Sequence, residues 1–214
     1  ALGFGAAVYP SAIVLAHFID VHYPRRLLVG KTVLELGCGV GFCAIAAALC
    51  GAGKVIATDG DPRSVQLTRD NIANNTDVLL QATAAGAAEV TSVKLRWADL
   101  ADTARVAGKI DTSTGGGGVD LIIGSDIAAC PYVEALPLLL ECLLTFCGKQ
   151  TTVLLTHKDR NVVEESFWSL AKEHFVVTSL PRSMLHPDFA EDEGLHITRL
   201  RRKRVKLAAT ATED

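Results

Sequence analysis

The chain has 214 residues, 49% of them hydrophobic and 21% charged, with a formal net charge of -3. That length suits one domain with a substantial core, and the charge balance leaves no global positive field to draw the protein onto nucleic acid or anionic lipid. Six cysteines (Cys38, Cys43, Cys50, Cys130, Cys142 and Cys147) lie in or beside apolar stretches; without a C-x-x-C pair or a compact Cys/His spacing they read as buried reduced thiols, and no metal is expected.

The longest apolar segments, such as Leu136 to Phe146, are too short to cross a bilayer, and Ala1 follows no charged region of a secretory signal. A soluble cytoplasmic protein is the expectation, without contact with a membrane. The opening Ala1, with no initiator Met, points to a chain trimmed at its start or lacking disordered flanks.

In chain order, Ser11 to Val21 follows Pro10 and repeats apolar residues at Ala12, Leu15, Ala16 and Ile19, the spacing of a one-faced helix. Thr32 to Leu36 reads as a buried strand. Phe42 to Cys50 reads as a helix with Phe42, Ile45, Ala46 and Leu49 inward, and Lys54 to Thr58 as a second strand. Asp61-Pro62 caps a helix carrying Val65, Thr68 and Ile72 on one side and ending near Asn74-Asn75. Gln81 to Ala88 is an Ala-rich insertion. Val90 to Trp97 and Val119 to Ser125 are further strands, separated by a polar segment ending in a glycine tether, Gly115 to Gly118.

Leu136 to Phe146 reads as a helix started or kinked at Pro137, Thr151 to Thr156 as a strand, and Asn161 to His174 as a helix with Glu164 in capping-box position. Phe175 to Leu180 and Leu195 to Leu200 close the chain as an antiparallel edge hairpin. The alternation predicts an α/β fold, a mostly parallel sheet with helices on both faces. One domain spans 1–206, with an N-terminal helical segment over 1–30, and 207–214 form a disordered tail.

The strongest local signal is Val33-Leu34-Glu35-Leu36-Gly37-Cys38-Gly39-Val40-Gly41-Phe42, a strand running into a glycine turn that opens a helix. Such a turn removes side chains where a ligand meets backbone, and the helix start offers free N–H groups to an anionic group. A dinucleotide site would require G-x-G-x-x-G with a small third residue; Phe42 stands there instead. Glu35 before Gly37, and the compressed spacing of Gly37, Gly39 and Gly41 around Cys38, suit S-adenosyl-L-methionine, whose carboxylate would meet the turn. Asp59, 20 residues beyond Gly39 and followed by Gly60, ends the second strand where a carboxylate accepts from both ribose hydroxyls. Its alternative is a helix cap, a role that Asp61 already fills. Trp97, Ala98 and Asp99 leave the next strand at the same edge, where the indole would bound the adenine or belong to the core, and Asp99 would accept from the adenine amine or stand solvated.

With these pieces in place the chain resembles the family-16 protein-lysine methyltransferases, Rossmann-like enzymes with a seven-stranded sheet. The resemblance covers nearly the whole chain and rests on Tyr9-Pro10-Ser11-Ala12, the segment Leu34 to Gly41, Thr58-Asp59-Gly60, Asn71 to Asn75, Leu95-Arg96-Trp97 and Asp120 to Ile127. It implies methyl transfer to a lysine of a protein substrate. Tyr9, Ser125 and the residues of the glycine turn would bind the donor, and Asp126, at the end of its strand, would hold the amine unless it only caps a helix. Two residues depart from the family pattern. Tyr9 stands where Trp is usual, and Ala129 where a tyrosine is usual; Tyr132, three positions on, is the candidate to restore the missing aromatic wall, or it points to solvent. Thr58-Asp59-Gly60 and Cys130-Pro131 resemble two different branches, so no target protein follows.

A donor-binding module without turnover, and a methyltransferase acting on a small molecule or nucleic acid, are the competing readings. Ser125-Asp126-Ile127-Ala128 in place of an N-P-P-[YF] edge disfavours base methylation. His157 to Arg160 read as a polar loop at the active edge. Asp188, Glu191, Asp192 and Glu193 read as a solvated turn or a surface for basic substrates, and Arg201 to Lys206 as a nuclear address or a solvated tail.

Overall fold

The computed structural model describes residues 4–23, 25–82, 88–110, 118–128, 133–159 and 163–203. Seven strands form one sheet: β1 (Thr32–Leu36), β2 (Lys54–Asp59), β3 (Glu89–Lys94), β4 (Leu121–Ser125), β5 (Thr152–Lys158), β6 (Phe175–Ser179) and β7 (Leu195–Arg202). Their order is β3-β2-β1-β4-β5-β7-β6. Every described pairing is parallel except those of β7, which runs antiparallel between β5 and β6. The fold is Rossmann-like. Its consequence for function lies between β1 and β4, where successive crossovers leave in opposite directions and open a crevice beyond the carboxyl ends of the strands.

Alternation along the strands divides the core in two. Leu34, Leu36, Ile122 and Leu155 face Val106, Leu139 and Phe167 of α5 (Leu100–Ala107), α6 (Ala135–Phe146) and α7 (Val163–His174). Val33, Val55 and Ile123 face Leu15, Ala47 and Leu79 of α1 (Pro10–His17), α2 (Phe42–Leu49) and α4 (Thr76–Ala82). Burying apolar surface on both faces stabilises such a sheet at roughly 25 cal/mol per Å². On the α1/α2 face the position after Leu34 belongs to Glu35, a carboxyl set among aliphatic neighbours.

Sequence and structure differ at several elements. α2 buries Cys43, Ala44, Ala47 and Ala48, not the expected face, and leaves Phe42 39% exposed. Its small residues allow close approach to α1 and the sheet, while Ile45 and Leu49 pack at the margin. The segment read as polar contains α5, which buries only Asp102 and Val106, too little apolar surface for a periodic signal. Asp99 caps it, accepting from the Asp102 amide at 2.9 Å. β3 stops at Lys94 because the Asp102 carboxylate accepts the Arg96 N–H at 3.1 Å, away from the ladder. α3 (Pro62–Asn74) starts at the expected cap, with Asp61 accepting from the Arg63 amide at 2.9 Å. Residues 83–87, 111–117 and 204–214, which include most of the Ala-rich insertion, the glycine tether and the tail, lie outside the described residues.

Candidate active site

A cavity of about 730 Å³ opens at the carboxyl ends of β1, β2 and β4. Its wall includes Tyr9, Glu35, Gly37, Cys38, Gly39, Asp59, Gly60, Trp97, Ser125 and Asp126. Gly41 and Ala98 stand off that wall. Gly41, at φ +79, starts α2, and a Cβ there would meet Thr68 Cγ2 at 2.6 Å, so its glycine serves helix packing. Ala98, at φ +62, turns the chain between Trp97 and the Asp99 cap. Ala129 and Tyr132 lie outside the described residues.

The glycine turn is held from three sides. Cys38 N–H donates to Thr58 O at 2.8 Å, Thr68 Oγ1 donates to Gly39 O at 2.9 Å, and Asn71 Nδ2 donates to Val40 O at 2.8 Å. Thr68 and Asn71 thus give α3 a purpose that sequence periodicity does not show. Gly37, at φ +67, has Ile127 packed where a Cβ would stand, at 2.6 Å. Gly39, at φ +53, lies under Gly5, and a Cβ on Gly39 would come within 3.0 Å of Gly5 O. The segment Gly5 to Tyr9 therefore covers the turn, and Gly5, Ala7 and Val8 join the cavity wall without any signal in the sequence.

Asp59 fixes the turn to β2. Gly39 N–H donates to its Oδ2 at 3.0 Å and Asp61 N–H to its Oδ1 at 2.9 Å, and the Gly60 amide also favours its charged form. Burial nonetheless raises its carboxyl above the ordinary value. Glu35, 1% exposed, is more extreme. Burial pushes its carboxyl up to about 8; the Ala44 amide and the Cys43 thiol oppose the rise, and the nearby Asp59 charge adds to it. Its Oε2 is buried with no hydrogen-bond partner. An orphaned buried oxygen facing a cavity is unfavourable by about 1–3 kcal/mol until a donor fills it.

Across the cavity, Asp126 adopts φ +58, an uncommon conformation for a residue with a side chain. Its N–H donates to Thr156 O at 2.8 Å, and its Oδ1 accepts from Lys158 N–H at 3.0 Å. Trp97 borders the wall beside Arg96, whose guanidinium is tied to Asp99 and Asp102. Asp99 is thereby engaged as a cap and ion-pair partner. Burial works against the charge of Asp102, but Arg105, the Arg96 amide and Lys94 hold its carboxyl down to about 2. His157 and Lys158, expected in a loop, end β5, and His157 is buried. The ladder continues because His157 and Lys158 pair with His196 and Leu195 of β7.

A family model described as lysine methyltransferase matches residues 1–174. This chain belongs to that family. Protein-lysine methyltransferase METTL21E of Mus musculus is 32% identical over 176 residues, which cover 80% of this chain and 64% of that relative. Protein N-lysine methyltransferase METTL21A of Danio rerio is 32% identical over 180 residues, covering 82% and 71%. The chain thus spans less than two thirds of the mouse relative. Among solved structures, an O-methyltransferase from Bacillus cereus in complex with SAH superposes with a TM-score of 0.57 at 12% identity, covering 94% of this chain and 84% of that one, a likeness of fold.

Proposed function

We propose that this chain is an S-adenosyl-L-methionine-dependent methyltransferase that transfers methyl groups to a lysine side chain of a protein substrate. The observation that carries the reading is the unpartnered, buried Oε2 of Glu35 in the same cavity as Asp59 and the side-chain-free turn at Gly37 and Gly39. These residues fit the donor. Glu35 offers an acceptor for an ammonium, the start of α2 offers N–H groups to a carboxylate, and the Asp59 carboxylate would accept from ribose hydroxyls. Tyr9, Cys38, Gly60, Trp97 and Ser125 would enclose the rest, with the indole against the adenine. Family membership and the SAH named with the Bacillus cereus structure accord with this donor.

When bound, the donor supplies an electrophilic methyl group on a sulfonium. The residues of this chain then have to bind, align and exclude water. A lysine amine of pKa about 10.4 must lose its proton first, at a cost of roughly 4–5 kcal/mol at neutral pH. Asp126, held by the Lys158 amide through one oxygen, would direct its carboxylate toward that amine. Alignment of amine and methyl supplies most of the rate.

Purified protein incubated with methyl-labelled donor and a protein extract tests the reading. Labelled bands that survive nuclease, vanish with protease and yield methyl-lysine are the expected outcome. Labelled nucleic acid overturns the substrate class. Donor binding by calorimetry without any transfer would leave a binding module in its place.

A further inference from the structure

Beside the cavity, on the α5–α7 face of the sheet, β5 and β7 bring together three side chains that the proposed reaction does not use. The antiparallel register sets His157 directly opposite His196, and opposed residues present their side chains on one face. The two imidazoles stack with centroids 5.2 Å apart and planes at 28°. Asp159, just beyond β5, meets both: its Oδ2 lies 2.9 Å from His196 Nε2 and its Oδ1 3.6 Å from His157 Nε2. The three ligand atoms lie within 4.8 Å of one another.

His157 is 4% exposed, its Nδ1 has no partner, and 3.6 Å is beyond hydrogen-bond reach for its Nε2. Among the described residues this imidazole makes no hydrogen bond, although Trp168 packs its ring 4.9 Å away. The nitrogen that bears on the cluster is Nε2, which faces the Asp159 carboxylate from beyond hydrogen-bond reach and so stays open to an ion between the two. Two imidazoles and a carboxylate are the donor set of zinc-type ions, whose bonds of about 2.0–2.1 Å put tetrahedral ligand atoms roughly 3.3 Å apart. The carboxylate reaches His196 Nε2 with Oδ2 at 2.9 Å and His157 Nε2 with Oδ1 at 3.6 Å, and one ligand atom from each residue falls within 4.8 Å of the others, so the set must draw together by up to about 1.5 Å around such an ion.

We propose that His157, Asp159 and His196 form a binding site for one divalent transition-metal ion of the zinc class. Asp159 is 59% exposed at its side chain, which gives the ion a way in and leaves room for water to complete its shell. The two histidines stand on paired strands, a rigid base for ligands. Bound there, the ion clamps β5 to β7 at Lys158, whose amide holds Asp126 at the cavity wall. Sequence spacing conceals the set because His196 stands 37 positions beyond Asp159.

Metal-free protein titrated with Zn²⁺ by calorimetry, and with Co²⁺ by visible absorption, tests the proposal. One equivalent of each ion should bind, with imidazole-type ligand-field bands for Co²⁺ and a raised thermal midpoint with Zn²⁺. His196→Ala and, independently, the near-isosteric Asp159→Asn should each weaken Zn²⁺ binding by at least about tenfold, the scale lost even with an outer-shell partner, while circular dichroism stays that of the parent. No stoichiometric binding, or binding equal to the parent in both variants, overturns the site; the latter would move the ion to other histidines or cysteines.

Discussion

The turn after β1 and the turn after β4 stand side by side at one edge of the sheet and are built in opposite ways. After β1 the chain gives up side chains: Gly37, Gly39 and Gly41 all take positive φ, and other residues crowd against them. After β4 the same left-handed conformation falls on Asp126, which keeps its carboxylate and is held there by Thr156 and Lys158. Under the proposed function, one turn would be a backbone surface for the donor and the other a mount for the group that holds the amine. The donor side would then depend on side chains that are absent, and the acceptor side on one that is present. Substitutions should therefore separate affinity from turnover.

The largest effect is expected at Gly39→Val. Its φ of +53, and the Gly5 carbonyl oxygen 3.0 Å from where a Cβ would stand, leave no room for a β-branched residue. Donor affinity by calorimetry should fall by about 100-fold or more, in keeping with a strain of roughly 1–3 kcal/mol plus lost contact. Donor bound as in the parent would show that the backbone surface is not what receives it. Next, Asp59→Ala should weaken donor binding by roughly 1.5–3 kcal/mol, the scale of a charged hydrogen-bond partner, without unfolding the chain. On the other turn, Asp126→Asn keeps an oxygen for Lys158 and tolerates the left-handed conformation. Its turnover should drop by about tenfold, roughly 1.4 kcal/mol in the barrier, with donor affinity unchanged. A loss of affinity equal to the loss of turnover would erase the division between the two turns.

Glu35 gives a smaller effect with a definite sign. Its folded carboxyl titrates at about 8, above the ordinary 4.5, so the folded state holds a proton that the unfolded state has released over that window. Stability from this group is full below about 4.5 and is lost as pH rises through about 8, with a slope of at most about 1.4 kcal/mol per unit. Burial holds the His157 imidazole down to about 4, which gives the opposite slope up to about 6.5, so thermal midpoints of donor-free protein should fall with pH between about 6.5 and 8, and Glu35→Gln should remove that fall. A bound ammonium favours the ionised form, so donor affinity should climb over the same window. The smallest effect is expected from neutralising Asp188, Glu191 and Glu193, which should raise KM for a lysine-containing basic substrate a few-fold, with weaker dependence on salt. Asp192 is set apart because it pairs with Lys158 at 2.8 Å.

The positions of the glycine turn and of Asp59 on one cavity wall were legible because each is a local pattern: a strand running into turn residues, and a carboxylate just ahead of a helix cap. The same locality fixed β1 to the residue and the start of α3 at Asp61. What the sequence could not display depends on contacts made at long range or on sparse burial. The inward face of α2 is chosen by alanines that fit against α1, against the larger residues that periodicity favours. α5 hides because two buried residues carry it. Gly5 looks like an isolated glycine until Gly39 is placed beneath it. His157 reads as a loop residue until β7 comes to pair with it.

The anchoring of α1 also governs when the cavity can come into being during synthesis. Ser11 O accepts from Thr156 Oγ1 at 2.9 Å across 145 positions, and Ala12 O accepts from Cys43 Sγ at 3.4 Å. Tyr9 and Ala12 on the cavity wall are thus moored to β5, a strand that leaves the ribosome long after the glycine turn. Closing so long a loop delays the contact relative to the local turns. A nascent chain that already displays Gly37 to Gly41 still lacks the wall beside it, so the cavity is completed only after β5 has been made, with β6 and β7 still to join the sheet.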